Sequence, residues 1–223
     1  VGSGESSNRQ SVSWGDGVYK SIDGGKTFTH MGLRASKAIN RIVIDPRDNN
    51  VVHVAVTGSL WGPGSERGIF KTTDGGKTWK QTLKVDDDTG ANEVVMDPSN
   101  SQILYATMYQ RRRTQCCFNG GGAGSGMFKS TDGGETWTKL KGGVLDGQLG
   151  RVTLDVYRKR PNILYALIEG PTPPAGRGGR GGGAAGGEVG PGAAAAAAPA
   201  PAQEFPGGGR GGGSRRRHHR HGR

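Results

Sequence analysis

Cysteine, aromatic residues and long apolar runs are all scarce in this chain. Its only cysteines are Cys116 and Cys117. Two thiols are too few for a disulfide scaffold, and sequence neighbours rarely bond to each other, so the redox compartment stays open and a vicinal redox pair is the alternative. No apolar stretch approaches the roughly 20 residues that a membrane helix needs, so no membrane span is expected. Aromatics are 6% of residues, few for one dense core. The first residue is Val1 and no signal peptide is recognisable; we expect an excised piece of a longer protein. Histidines are also few. His30 and His53 lie alone in strand-like runs as surface or interface groups, and His218, His219 and His221 stand between arginines, where no defined metal site is expected. No cofactor is expected.

Glycine is abundant, and much of it serves one phrase. The phrase occurs as SIDGGKTF (21–28), TTDGGKTW (72–79) and STDGGETW (130–137), with Asp23, Asp74 and Asp132 51 and 58 residues apart. Such a period marks stacked supersecondary units. Each aspartate suits a turn because its carboxylate accepts nearby backbone N–H groups. Gly25, Gly76 and Gly134, with the glycine before each, supply the positive φ of a tight hairpin. Thr27, Thr78 and Thr136 re-enter a strand, and Phe28, Trp79 and Trp137 offer a ring for burial. Catalytic aspartates would not recur in every unit, so these are structural corners.

Between the corners runs a second recurring phrase: INRIVIDPRDNNVVHVAV (39–56), ANEVVMDPSNSQILYATM (91–108) and GRVTLDVYRKRPNILYALI (150–168). Each is a β-branched run, a polar break and a second apolar run, which is a hairpin pattern. One unit is therefore four short antiparallel strands, here termed A, B, C and D. The expected fold is all-β: a β-propeller segment over 1–169 comprising a half blade (1–30), two complete blades (41–83 and 92–140) and a half blade (150–169). Residues 170–223 read as a disordered Gly/Ala/Pro/Arg-rich tail, having almost nothing bulky to bury.

That tail carries eight arginines against two glutamates, so it supplies about half of the formal net charge of +11. Its Arg-Gly pairs resemble basic segments that bind nucleic acid, but aromatic residues are nearly missing from it, and nucleic acid is not an expected partner. Open strand edges on a partial propeller predict self-association, and the remaining blades of the longer protein are the expected partners.

The phrase S/T-x-D-G-G-x-T-W/F resembles the Asp-box, or bacterial neuraminidase repeat. Together with SVSWGDGVYKSIDGG, SLWGPGSERGIFKTTDGGKTW and DDDTGANEVVMDPSN, it makes residues 1–169 similar to bacterial sortilin-like and glycosyl-hydrolase-like propeller proteins, xyloglucanases and sialidases among them. The resemblance implies a propeller of seven to ten blades, or two in tandem, in an extracytoplasmic (secreted or periplasmic) protein. It also implies that the boxes lie away from the ligand face.

In a four-stranded antiparallel unit the A–B and C–D turns share one end and the B–C and D–A loops the other. The B–C loops here (2–16, 57–67 and 110–125) are long and chemically rich, and such loops on a rigid frame commonly bind. They offer Trp14, Trp61 and Phe118 with Asp16, Glu66, Arg67, Arg111, Arg112 and Arg113, groups that suit sugar rings or a peptide. The bland alternative is that the tryptophans fill gaps between blades and the charges are solvated. Asp86, Asp87 and Asp88 could ligate Ca²⁺, although a solvated acidic loop is the simpler reading. Glycoside hydrolysis commonly needs paired carboxylates, and nothing in the sequence pairs Glu5, Asp16, Glu66 or Asp86–Asp88. Where xyloglucanases carry a catalytic aspartate this chain has Trp14, with Asp16 out of register. The consecutive Arg111–Arg113 do not match a sialidase arginine triad. The expected function is therefore a non-catalytic module that binds a glycan or polypeptide through the B–C face, with a fragment of a secreted glycoside hydrolase as the alternative.

Overall fold

A computed structural model describes residues 1–64, 66–142 and 147–170. The tail from 171 onward, expected to be disordered, lies outside the described residues. Fourteen strands are described: β1 (Tyr19–Lys20), β2 (Thr29–His30), β3 (Ile39–Asp45), β4 (Asp48–Val56), β5 (Gly68–Thr72), β6 (Lys80–Leu83), β7 (Thr89–Asp97), β8 (Asn100–Gln110), β9 (Arg112–Arg113), β10 (Phe118–Asn119), β11 (Gly126–Ser130), β12 (Thr138–Lys139), β13 (Val152–Val156) and β14 (Leu164–Ile168). Two four-stranded antiparallel sheets, β3-β4-β5-β6 and β7-β8-β11-β12, are flanked by the two-stranded sheets β1-β2 and β13-β14. The A strands β3, β7 and β13 of successive sheets lie against one another. This is a β-propeller segment of two complete blades and two half blades.

Alternation along each strand makes the stacking. In β4, Val54 and Val56 face back onto Val18, Leu33 and Phe70, while Ala55 faces forward onto Ala91, Val94, Leu104 and Ala106 of the next blade. In β8, Tyr105 faces forward onto Leu154 and Val156 of the terminal half blade. A strand buried on both sides reads as a near-continuous apolar run, as VVHVAV and ILYATM do. Asn40 and Asn92 fall at register shifts near the starts of β3 and β7. A bulge re-aims its side chain. Asn40 Nδ2 donates to Asn92 O and Oδ1 (both 2.9 Å), and Asn92 Nδ2 donates to Val152 O (2.8 Å), tying three successive A strands together.

The three boxes are built alike. Asp23 accepts from Ser21 Oγ (2.7 Å), Thr27 N (3.0 Å) and Thr27 Oγ1 (2.6 Å), and Gly25 N donates to Ser21 Oγ (2.8 Å). Asp74 repeats this with Thr72 and Thr78, and Asp132 with Ser130 and Thr136. These donors hold all three carboxyls well below the usual range, the threonine hydroxyl being the largest influence. The box rings bridge blades. Trp79 Nε1 donates to Met31 O (2.6 Å), and Trp137 Nε1 donates to Thr82 Oγ1 (3.3 Å). Phe28 departs from the expected burial and is 50% exposed, because among the described residues no sheet precedes it.

Two box glycines separate backbone strain from crowding. Gly24 (φ +73°) has open space where a Cβ would go, whereas at Gly134 (φ +79°) a Cβ would come within 2.7 Å of His53 Cε1. Gly24→Ala should cost about 1 kcal/mol for the left-handed backbone. Gly134→Ala should cost about 3 kcal/mol, since overpacking adds to the same strain. Urea melts of the two variants check the difference.

Candidate functional site

The three B–C loops converge, and arginines hold them together. Arg111 leaves β8 at its end and turns its side chain inward rather than to solvent. Nη1 donates to Ser6 O (2.8 Å), Ser7 O (3.2 Å) and Asn8 Oδ1 (2.8 Å), and Nη2 donates to Gly58 O (3.4 Å). One side chain from the third loop thus grips the first and the second. Arg113 adds to the grip: its N–H reaches Leu60 O (2.9 Å) and its Nη2 reaches Asn8 O (2.6 Å). Asn8 Nδ2 also donates to Tyr109 Oη (3.2 Å). Arg67 folds back on its own loop and donates to Thr57 O, Ser59 O and Gly62 O.

This corrects two expectations. Arg67 and Arg111 are 0% and 1% exposed, so neither presents its guanidinium to a ligand. Burial lowers each pKa to about 10, which leaves both charged at neutral pH, and the hydrogen bonds of both go mainly to backbone carbonyls, with Asp86 and Asp87 also acting on Arg67 through space. The physical reason is that a loop too irregular to pair its carbonyls in a ladder needs a multivalent donor, and guanidinium supplies five N–H groups. In sequence this looks the same as a ligand-binding arginine.

The aromatic candidates remain at the surface. Trp14 is 60% exposed with Lys37 Nζ 4.9 Å from its ring, and Trp61 is 39% exposed. Phe118 is also exposed, with the Arg113 guanidinium 4.9 Å from its ring. Arg112 is ion-paired with Asp88. Asp16 is drawn toward its own half blade: Tyr19 Oη donates to both its oxygens (2.8 and 3.0 Å) and Ser3 Oγ lies 3.4 Å away, so the carboxyl is held below its ordinary value. Glu66 behaves oppositely. Burial raises it, against the Ala35 N–H and Lys37, and its Oε2 is buried with no hydrogen-bond partner.

The acidic run spends its oxygens internally. Asp86 Oδ1 accepts from Asp88 N (2.8 Å) and Thr89 N (2.7 Å), and Asp87 pairs with Lys84 (2.8 Å). Among the described residues no group of three metal-ligating side chains converges. One feature of the third loop went unread in the sequence. Its middle folds as the hairpin β9–β10, with Arg113 opposite Phe118 and Arg112 opposite Asn119. At the tip of that hairpin Cys116 and Cys117 are bonded to each other, the vicinal pair that the sequence held only as the alternative. A tight turn with Thr114 N donating to Cys117 O (2.8 Å) brings the two side chains together.

Comparison with known proteins places this architecture. The family model described as "Sortilin, neurotensin receptor 3" (Sortilin-Vps10) matches residues 16–166, about two thirds of the chain. A xyloglucanase of Hypocrea jecorina is 36% identical over 112 residues, which is 46% of this chain and 12% of that protein. The xyloglucanase Xgh74A of Acetivibrio thermocellus is 29% identical over 112 residues, with the same coverage. The chain spans about one eighth of the length of these relatives. Among solved structures, an ancestral GH74 enzyme aligns at TM-score 0.49 and 17% identity over 68% of this chain and 19% of that one. The GH74 xyloglucanase of Xanthomonas campestris aligns at 0.43 and 19%, over 60% and 18%. No helix among the described residues is long and apolar enough to cross a membrane. With its three boxes in register and its family model spanning both complete blades, the chain belongs to the Sortilin-Vps10 family.

Proposed function

We propose that this chain is one segment of a larger secreted glycoside-hydrolase-type propeller, and that its B–C loop cluster binds a polysaccharide of the β-glucan class. The observation that carries this is the loop convergence at Arg111 and Arg113. It fixes three irregular loops in place and leaves Trp14, Trp61 and Phe118 exposed on them. Pre-set aromatic faces stack on sugar rings without an ordering cost at binding. The xyloglucanases among the relatives make xyloglucan the first polymer to test, and they favour a hydrolase segment over a free-standing binder. Hydrolysis itself needs two carboxyl groups about 5–10 Å apart. On this face Asp16 is committed to Tyr19, and Glu66 alone is pushed toward the protonated form of a general acid. We therefore assign no catalytic residue to the segment.

Affinity electrophoresis in xyloglucan gels tests the reading. The chain should be retarded, and Trp14→Ala with Trp61→Ala should weaken retention about tenfold each, for stacking energies of roughly 1–1.5 kcal/mol. Thermal melts should stay unchanged for Trp14→Ala, at a residue 60% exposed, and fall modestly for Trp61→Ala, at a residue 39% exposed. A reducing-end assay on the same polymer should stay flat. Equal mobility with and without xyloglucan would remove the proposal, as would full retention of the double variant.

A further inference from the structure

A disulfide stabilises a fold in proportion to the chain it closes off, and the bond between Cys116 and Cys117 joins sequence neighbours and closes off none. As a staple it contributes little. Its place is more informative. Arg113 pairs with Phe118 across β9–β10, so residues 114–117 form the turn and the bond lies at its outer corner. Thr114, Gln115, Cys116 and Cys117 are all exposed.

The hairpin is anchored at its base and free at its tip. Arg113 N donates to Leu60 O (2.9 Å), Arg113 Nη2 donates to Asn8 O (2.6 Å), and Arg112 is paired with Asp88. These contacts draw the hairpin back over the first and second loops, inside the described segment. The tip is held differently. Thr114 N donates to Cys117 O (2.8 Å), Thr114 Oγ1 lies 3.4 Å from the same carbonyl, and the S–S bond closes the corner. Phe118 follows directly, with its exposed ring under the Arg113 guanidinium. The bond therefore sets the turn beside one of the three aromatic faces and touches nothing in the strap that holds the loops.

We propose that Cys116–Cys117 is a redox-exchange site: a dithiol opens the bond, and the opened tip weakens ligand binding at the adjoining Phe118 face. The second half rests on the polysaccharide reading of this face, and the first does not. Exchange needs an accessible sulfur and a thiolate that can leave. A thiolate of the reductant attacks Cys117 Sγ and forms a mixed disulfide there, and the electron pair of the old S–S bond leaves on Cys116 Sγ. A disulfide sulfur carries no hydrogen, so Thr114 Oγ1, 3.6 Å from Cys116 Sγ, is the donor in that contact and meets the developing charge. Cys116 then takes a proton. The reductant's other thiolate attacks the reductant's own sulfur in the mixed disulfide, and Cys117 leaves as a thiolate and is protonated. Both cysteines end as thiols, and the reductant ends as a cyclic disulfide. A disulfide oxidant runs the same steps in reverse.

The test uses the full chain with dithiothreitol as the dithiol. Alkylation followed by mass spectrometry should find both cysteines modified without urea. Hydrogen exchange should rise at residues 114–118 and stay unchanged in β7 and β8. The melting temperature should move by no more than about 1 °C, since the bond closes off no loop. Retention in xyloglucan gels should fall about fivefold, for a side chain that must be ordered again at binding. It should return when oxidised dithiothreitol restores the bond. Cys116→Ser with Cys117→Ser should show the weaker retention with or without reductant. Thr114→Val should slow opening about tenfold, Thr114→Ser should keep the wild-type rate, and a trapped glutathione adduct should lie on Cys117. Alkylation that needs urea overturns the proposal, as does unchanged exchange at 114–118, or equal retention of the reduced and oxidised forms. An adduct on Cys116 would remove the positioning part of Thr114. If neither form is retained by xyloglucan, the polysaccharide reading falls and the ligand half of the proposal falls with it, while alkylation and hydrogen exchange still decide the redox half.

Discussion

Arg111→Met should lower the unfolding free energy by about 2–3 kcal/mol, and Arg111→Ala by about 3–5 kcal/mol. Replacing a buried charge by an apolar group of similar volume is often neutral when the charge was poorly compensated. Here it is not neutral, because the loss falls on the acceptors. Ser6 O, Ser7 O, Asn8 Oδ1 and Gly58 O would each lose the donor they now have. Methionine fills the space but satisfies none of them, whereas alanine also leaves a cavity. A domain of this size loses roughly 2–4 °C in Tm per kcal/mol, so the alanine variant should melt about 10 °C lower. Arg111→Lys should fall near the methionine variant, since one ammonium cannot fork between two loops. Hydrogen exchange should rise in residues 5–13 and 57–62 before it rises in β7 or β8. Equal stability of Arg111→Met and wild type would mean that the loops are held by something else, and the preformed ligand face would lose its basis.

The sequence is informative where a rule acts locally and weak where one residue serves distant ones. Asp74 could be read as a corner because its partners, Thr72 and Thr78, lie within four residues of it. The blade pattern was legible because VVHVAV and ILYATM are apolar on both faces. Arg111 was not, because its partners are Ser6, Ser7, Asn8 and Gly58, more than 50 residues away. A guanidinium turned toward such carbonyls has the same one-letter code as one turned toward solvent. The β9–β10 hairpin was missed because its strands are two residues each, too short for period-two alternation to show. Trp14 and Trp61 could be placed on loops, but only their exposure separates a possible sugar platform from a gap-filler.

His53 should make stability depend on pH in a window where few other groups act. It lies in β4, 1% exposed, facing Gly134 of the next box, and Nδ1 has no hydrogen-bond partner. Burial is the main cause, with the Lys71 charge adding to it and Asp45 and Glu135 opposing, and together they lower the pKa from 6.5 to about 4. A base whose folded pKa is lowered is neutral in the folded chain while the unfolded chain takes up a proton. Its stabilising contribution is therefore complete above about pH 6.5 and declines as the pH falls toward 4. At 1.36 kcal/mol per pKa unit the decline is about 3 kcal/mol. Asp23, Asp74 and Asp132 act in a lower window. Their carboxyls are depressed, so their contribution is present above the ordinary carboxylate pKa and lost only as the pH falls below it. Glu66 and Glu93, raised by burial, act in the opposite sense: their contribution is full below the ordinary glutamate value and fades as the pH rises through it. Because these groups overlap, the difference between wild type and His53→Gln is the useful quantity. Urea midpoints taken every half unit from pH 7.5 to 4 should converge on the variant's as the pH falls, by about 3 kcal/mol in all. Parallel curves would mean that His53 is protonated where it sits, and that the seam between β4 and the third box admits water and an anion.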